Sequence, residues 1–316
     1  MLATSKDGSN TPEAVVDWVC FVVQLNKASN GGHLHKRFRS LGVSRVEPID
    51  KGAGAAARSF EIRLQNPDGY ETIAKIVNEL EESYGLVSPP TLKGVEVSID
   101  FYNPYADMGA LRIMTERLMN TIVPPVIVNP RLIGATKAEQ CQLPARGGVD
   151  SAKTLYIGDR HDQLLWRVYL KQTDQTEIND NGVKVPKQLP PNEYRARAEV
   201  RIQGEALKQI GLEQVSDLKD FPFQRIHARG WFKFAQRKNQ FDPILTNEYS
   251  RAAGAAIGID GSAPACVVNR FGRKDKRGRR RLLSKHLKTD QQLTEQSRMA
   301  LLSLTRRFRK SRGFII

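Results

Sequence analysis

Two segments, "LLWRVYLKQ" (residues 164–172) and "YRARAEVRIQG" (residues 194–204), decide the fold. Side chains alternate along a β-strand, so residues at i, i+2 and i+4 share a face. The first segment therefore puts Arg167, Tyr169 and Lys171 on one face, away from Val168 and Leu170. The second puts Arg195, Arg197, Glu199 and Arg201 on one face. "KTLYIGDR" (residues 153–160) reads as another strand, and the short or polar links predict that the three form an antiparallel meander. If the two charged strands pair, a tyrosine, a carboxylate and several cations converge on one side of the sheet. A structural core does not explain an arginine-rich face around a single glutamate.

Toward the N-terminus, "AVVDWVCFVVQL" (14–25) is β-branched and aromatic, the signature of a buried strand. "GGHLHKRFRSLG" (31–42) reads as a short helix bracketed by glycines. "ARSFEIRLQNPDG" (57–69) alternates Phe60, Ile62 and Leu64 and stops at a turn signal. "GYETIAKIVNELEESYG" (69–85) places Ile73, Ile76, Val77 and Leu80 on one helical stripe. "GVEVSIDFYNP" (94–104) is a further strand, and "ADMGALRIMTERLMNTI" (106–122) a further helix. Strands alternate with helices early and run together later. The expected class is α+β, a largely antiparallel sheet from two β-α-β-type halves covered by helices, with a basic C-terminal extension. The expected boundaries are a disordered 1–12, a main domain over 13–244 and a basic tail over 245–316.

Charge narrows the partner. The net charge is +15, of which residues 241–316 carry +11. A near-neutral body with a basic tail points to a polyanion, because cations that neutralise phosphates release condensed counterions. The densest run includes Arg273, Lys274, Lys276, Arg277, Arg279, Arg280 and Arg281. These residues, with Arg195, Arg197 and Arg201, are the expected DNA contacts. The apolar stretches are too short or too proline-broken to span a membrane, and the first lacks the leader and cleavage site of a signal peptide. Cys20, Cys141 and Cys266 form no pair of metal-site or disulfide spacing, which suits a reducing cytoplasm.

A face combining Tyr169, Lys171 and Arg167 with nearby acids suits phosphodiester transfer onto tyrosine. A phenol is a poor nucleophile at neutral pH, with a pKa near 10. A divalent cation on Asp100 and Glu199, with Glu96 as a third acid, would stabilise developing charge, and hard oxygen donors select Mg2+ or Mn2+. Lys171 or an arginine would lower the tyrosine pKa or stabilise the pentacoordinate phosphorus.

"TLYIGDRHDQLLWRVYLKQ" (154–172) followed by "YRARAEVRIQG" resembles rolling-circle replication initiators of the trans-acting Rep family, which spans plasmid initiators and related phage proteins. "VDWVCFVV" and "VEVSIDFY" are similar to that family's first strand and its acidic strand. The resemblance covers about residues 15–215. It implies that Tyr169 nicks one strand at a replication origin, stays joined to the 5′ phosphate and leaves a 3′ hydroxyl for a polymerase. It implies Asp100 and Glu199 as metal-binding acids and Arg167, Lys171 and Arg197 as phosphate contacts. Tyr156 is the second-choice nucleophile. Asp159 and Leu170 depart from the family pattern, which has a small polar residue and an acid there. A host helicase is implied as a partner, since the sequence has no GxxxxGK[ST] loop of its own. A homodimer is one way to supply the second catalytic event that closing a circle needs.

Three other readings compete. "HLH" (33–35) on a strand would be a metal pair, but on a helix residues two apart point about 200° apart. No tyrosine is followed four positions on by lysine, the companion motif of His-x-His nicking enzymes. "RGWFKFAQRKNQF" (229–241) suits base stacking or core packing equally. A nonenzymatic DNA-binding regulator on the same fold is the alternative function.

Overall fold

The computed structural model describes residues 11–50, 56–125, 130–133, 154–178, 184–237 and 287–310. The first half contains β1 (Thr11–Asn30), α1 (Gly31–Phe38), β2 (Val43–Pro48), β3 (Ala56–Gln65), α2 (Tyr70–Tyr84), β4 (Thr91–Tyr102) and α3 (Met108–Thr121). The second contains β5 (Pro130–Ile133), β6 (Thr154–Ile157), β7 (Leu164–Lys171), the hairpin β8 (Thr173–Ile178) and β9 (Lys184–Gln188), and β10 (Arg195–Gln203). Helices α4 (Glu205–Gln209) and α5 (Gln224–Ala228), the short pair β11 (Ala235–Arg237) and β12 (Leu287–Thr289), and the long helix α6 (Gln291–Lys310) follow.

Eight strands form one antiparallel sheet in the order β2-β3-β1-β4-β10-β7-β6-β5. The halves meet at the β4–β10 pair. The expected meander of β6, β7 and β10 is present, with the β8–β9 hairpin inserted between its last two strands. Among the described residues, no α-helix separates β6, β7 and β10. At the β6–β7 turn Gly158 has φ +101°, and a Cβ there would meet Leu164 O at 2.8 Å, so the turn requires glycine.

Alternation separates the two faces. Phe60, Ile62 and Leu64 of β3, Val95, Val97, Ile99 and Phe101 of β4, Ala198 and Val200 of β10, and Trp166 and Val168 of β7 are buried in one core. Ile73, Ile76 and Leu80 of α2, Leu118 of α3 and Leu207 of α4 join the same core, so the helices cover that face. The intervening residues of the central strands point the other way and are polar.

The final helix belongs to the body rather than to a separate arm. Leu293, Leu301, Leu304 and Phe308 of α6 are buried in the main core, and the Phe308 ring meets Phe223 edge-on at 5.3 Å. Asp290 caps the helix, accepting from Leu293 N at 3.1 Å, and binds Arg117 of α3 through both carboxylate oxygens. Arg307 donates to Ala14 O and pairs with Glu13 at the start of β1. Its basic residues therefore ride on a helix whose apolar stripe is committed to the core. Leu301→Ala is expected to cost about 2–5 kcal/mol, the range for truncating a buried leucine, measured by urea unfolding.

Other expectations are resolved here. Trp231, Phe232 and Phe234 are buried in the core, so "RGWFKF" is packing and not a base-stacking surface. His33 and His35 lie on α1, which Asn30 caps by accepting from Gly32 N at 2.8 Å. Thr11 and Pro12, expected to be disordered, pair with Tyr102 and Phe101. Cys20 is a buried free thiol, and Cys141 and Cys266 lie outside the described residues. So do Arg273, Lys274, Lys276, Arg277, Arg279, Arg280 and Arg281. No described helix is long and apolar enough to cross a membrane.

Candidate active site on the polar sheet face

Strand register brings the polar residues together. Across β7 and β10, Lys171 faces Arg195, Tyr169 faces Arg197 and Arg167 faces Glu199. Across β10 and β4, Arg197 faces Asp100, Glu199 faces Ser98 and Arg201 faces Glu96. On the other side of β4, β1 is irregular between Val16 and Trp18, the register gaining a residue there. Such a bulge re-aims side chains. Both Asp17 and Trp18 consequently reach this face: Ser98 Oγ donates to Asp17 Oδ2, and Trp18 Nε1 donates to Glu96 Oε1 at 2.8 Å. Gly94 makes room for the indole, since a Cβ there would sit 2.9 Å from the Trp18 ring.

The centre is a dense ionic lattice. Tyr169 Oη donates to Glu199 Oε1 at 2.6 Å. Arg167 Nη2 lies 2.8 Å from Glu96 Oε1 and 2.5 Å from Glu199 Oε2. Arg197, only 3% exposed, grips Asp100 through Nε and Nη2 at 2.5 and 2.6 Å and donates from Nη1 to Asp17 at 2.8 Å. Burying charges is tolerable only when each is paired, and here nearly every one is.

Asp17, Glu96 and Glu199 each present a carboxylate oxygen, and these oxygens lie within 4.8 Å of one another. Three hard oxygen donors suit a small divalent cation. Glu199 Oε2 is buried 2.5 Å from Arg167 Nη2, so a cation held there would share that carboxylate with the guanidinium. Of the expected ligands Asp100, Glu199 and Glu96, the last two belong to this cluster, while Asp100 is held by Arg197 through two nitrogens, with Arg195 Nε 3.2 Å away. The cluster's third member is Asp17, which Arg197 also touches through Nη1. The sequence signal for Asp17 was a lone carboxylate in an apolar strand, which burial obliges to find a partner.

Three further expected site residues take these positions. Arg197 is buried and paired with Asp100 and Asp17, and it lines the cleft beside Tyr169. Arg201 donates to Arg160 O at the β6–β7 turn, where it holds the turn against β10. Tyr156 sits on β6 opposite Arg167, one strand farther from Glu199 than Tyr169 is.

Burial raises the pKa of Glu199 to about 7, with Glu96 adding to the rise and Arg167 and Arg197 opposing it. Burial also raises Glu96. Burial and then the Glu199 charge push the Tyr169 hydroxyl well above the usual phenol range. A carboxyl with a raised folded-state pKa binds more protons folded than unfolded, so stability falls as pH climbs from about 4.5 through about 7 for Glu199. In EDTA the melting temperature is expected to rise as pH is lowered from 8 to 6. Glu199→Gln should flatten that slope in circular dichroism melts.

Tyr169, hydrogen-bonded to Glu199 beside an acidic cluster and Lys171, has the donor and acceptor set that phosphoryl-group chemistry would use. The residues line a cleft of about 480 Å³ that includes Asp17, Glu96, Arg167, Tyr169, Lys171 and Glu199. No protein-family model matches the chain, and no curated protein matches it. Among solved structures, the rolling circle replication initiator protein from Geobacillus stearothermophilus is similar at 16% identity. That likeness covers 79% of this chain and 99% of the other, with a TM-score of 0.35, an overlap too low to carry weight.

Proposed function

We propose that this protein nicks one strand of DNA by attack of Tyr169 on a phosphodiester, leaving a 5′-phosphotyrosyl link and a free 3′ hydroxyl. The observation that carries the reading is the 2.6 Å hydrogen bond from Tyr169 Oη to Glu199 Oε1, within the reach required of a general base. Glu199 takes the phenol proton as the oxygen closes on phosphorus. Arg167, held by Glu96 and Glu199, keeps that carboxylate aimed at the hydroxyl. Asp17, Glu96 and Glu199 would hold Mg2+ or Mn2+, which when bound supplies Lewis-acid stabilisation of charge on the phosphate oxygens. The resemblance of the β6, β7 and β10 motifs to trans-acting Rep initiators supports placing this nick at the start of rolling-circle replication.

The test is supercoiled DNA of the replicon that encodes the chain, incubated with Mn2+ or EDTA and analysed after SDS. Open circles carrying covalently attached protein, formed with Mn2+ and absent with EDTA, are expected. Salt-sensitive binding without nick or adduct would replace this reading with a DNA-binding regulator on the same fold.

A further inference from the structure

Lys171 is the cation beside Tyr169 that the acids leave least engaged. Arg167 and Arg197 are each gripped by two or more carboxylates, and neither guanidinium gives up a proton in a protein. Lys171 shares the face of Tyr169 two residues along β7, about 7 Å away along the strand. Its side chain is 15% exposed, and its ion pair is to Asp174 at 3.4 Å, a carboxylate itself 43% exposed. Directly across on β10 stands Arg195. Like charges opposed on neighbouring strands are unfavourable, so this pair calls for a function. Burial, then Arg197 and Arg195 from β10, hold Lys171 below the usual lysine range, against Asp174 of the hairpin and Asp17 of β1. A lysine in that condition releases a proton more readily than a free one.

The register adds direction. Glu199 lies opposite Arg167, two residues from Tyr169 toward one end of β7, and Lys171 lies two residues toward the other end. In-line displacement at phosphorus puts the attacking and leaving oxygens on opposite sides, so the groups serving them must also be separated. Lys171 lines both the cleft containing Tyr169 and an adjoining one of about 370 Å³ lined by Tyr102 and Arg195. It is therefore reachable from the side away from Glu199.

We propose that Lys171 is the general acid of strand cleavage, donating a proton from its ammonium to the departing O3′. This rests on the reading of Tyr169 as the nucleophile. The Tyr169 Oη–P bond forms and the phenol proton passes to Glu199. The P–O3′ bond breaks, its electron pair goes to O3′, and O3′ takes a proton from Lys171 Nζ. In rejoining, neutral Lys171 accepts the proton of the 3′ hydroxyl and Glu199 returns its own to Tyr169.

The test uses an oligonucleotide spanning the nick mapped on the supercoiled replicon, made in two forms. One has the ordinary scissile linkage, and the other has sulfur in place of the bridging O3′. A thiol, with a pKa near 8.5, leaves without needing a proton. Lys171→Ala and the charge-preserving Lys171→Arg are compared with the full-length wild type, with DNA binding and melting curves as folding controls. Both variants are expected to cleave the oxygen substrate about 10²–10⁴-fold more slowly and the sulfur substrate at close to the wild-type rate. Equal slowing on both substrates, or an unimpaired Lys171→Arg on oxygen, would overturn the role of Lys171 while leaving Tyr169 in place. A wild-type protein that forms no adduct on either substrate would overturn the nucleophile reading and this proposal with it.

Discussion

Tyr169→Phe is expected to lower the nicking rate by about 10⁴-fold or more and to abolish the SDS-stable adduct, while DNA affinity stays within about twofold of wild type. The ring remains and only Oη is lost, so the packing of Tyr169 between Arg167 and Lys171 on its strand face is retained. The cations outside the central lattice, Lys171 and Arg195, are untouched, which is why binding should persist. Glu199 loses a hydrogen-bond donor at Oε1, a cost of about 1–3 kcal/mol for a buried acceptor. That cost is offset in part because Glu199, with its pKa near 7, is readily protonated. Adduct formation measured against electrophoretic binding separates chemistry from recognition. Undiminished nicking by Tyr169→Phe would transfer attention to Tyr156, which faces Arg167 from β6.

The alternation in "LLWRVYLKQ" and "YRARAEVRIQG" was enough to place Tyr169, Arg167, Lys171 and Glu199 on one face, because a period of two leaves no other arrangement for paired strands. The same rule found Glu96 on β4. It could not find Asp17. In a regular strand Asp17 and Trp18 point to opposite faces, and the irregularity that brings both to the acidic cluster is a property of the β1–β4 pairing. Nor could it show that Asp17 rather than Asp100 clusters with Glu96 and Glu199, since Arg197 holds Asp100 through two nitrogens and Asp17 through one. The docking of the final helix was not legible for a related reason. Its cations dominate the composition, whereas Leu293, Leu301, Leu304 and Phe308 dominate its packing. Charge counts a surface; only a partner element shows which stripe is buried.

Arg197→Met is expected to destabilise the fold by about 3–5 kcal/mol, a large share of the roughly 5–15 kcal/mol that holds a domain together. Methionine fills much of the volume but neutralises nothing. Asp100, 1% exposed, and Asp17 would then lie buried without the cation that bridges them. The cost arises from that uncompensated charge more than from the lost attraction. Removing one acid together with the arginine should therefore recover part of it, and Arg197→Met/Asp100→Asn is expected to be more stable than Arg197→Met alone in urea unfolding. A surface phosphate contact would behave differently: its loss would lower DNA affinity and salt dependence and leave the unfolding midpoint unchanged. A near-wild-type midpoint for Arg197→Met would return Arg197 to the DNA-contacting role. It would also free Asp100 to join Glu96 and Glu199 as a metal ligand, because the choice between Asp100 and Asp17 rests on which of them this one guanidinium holds most firmly.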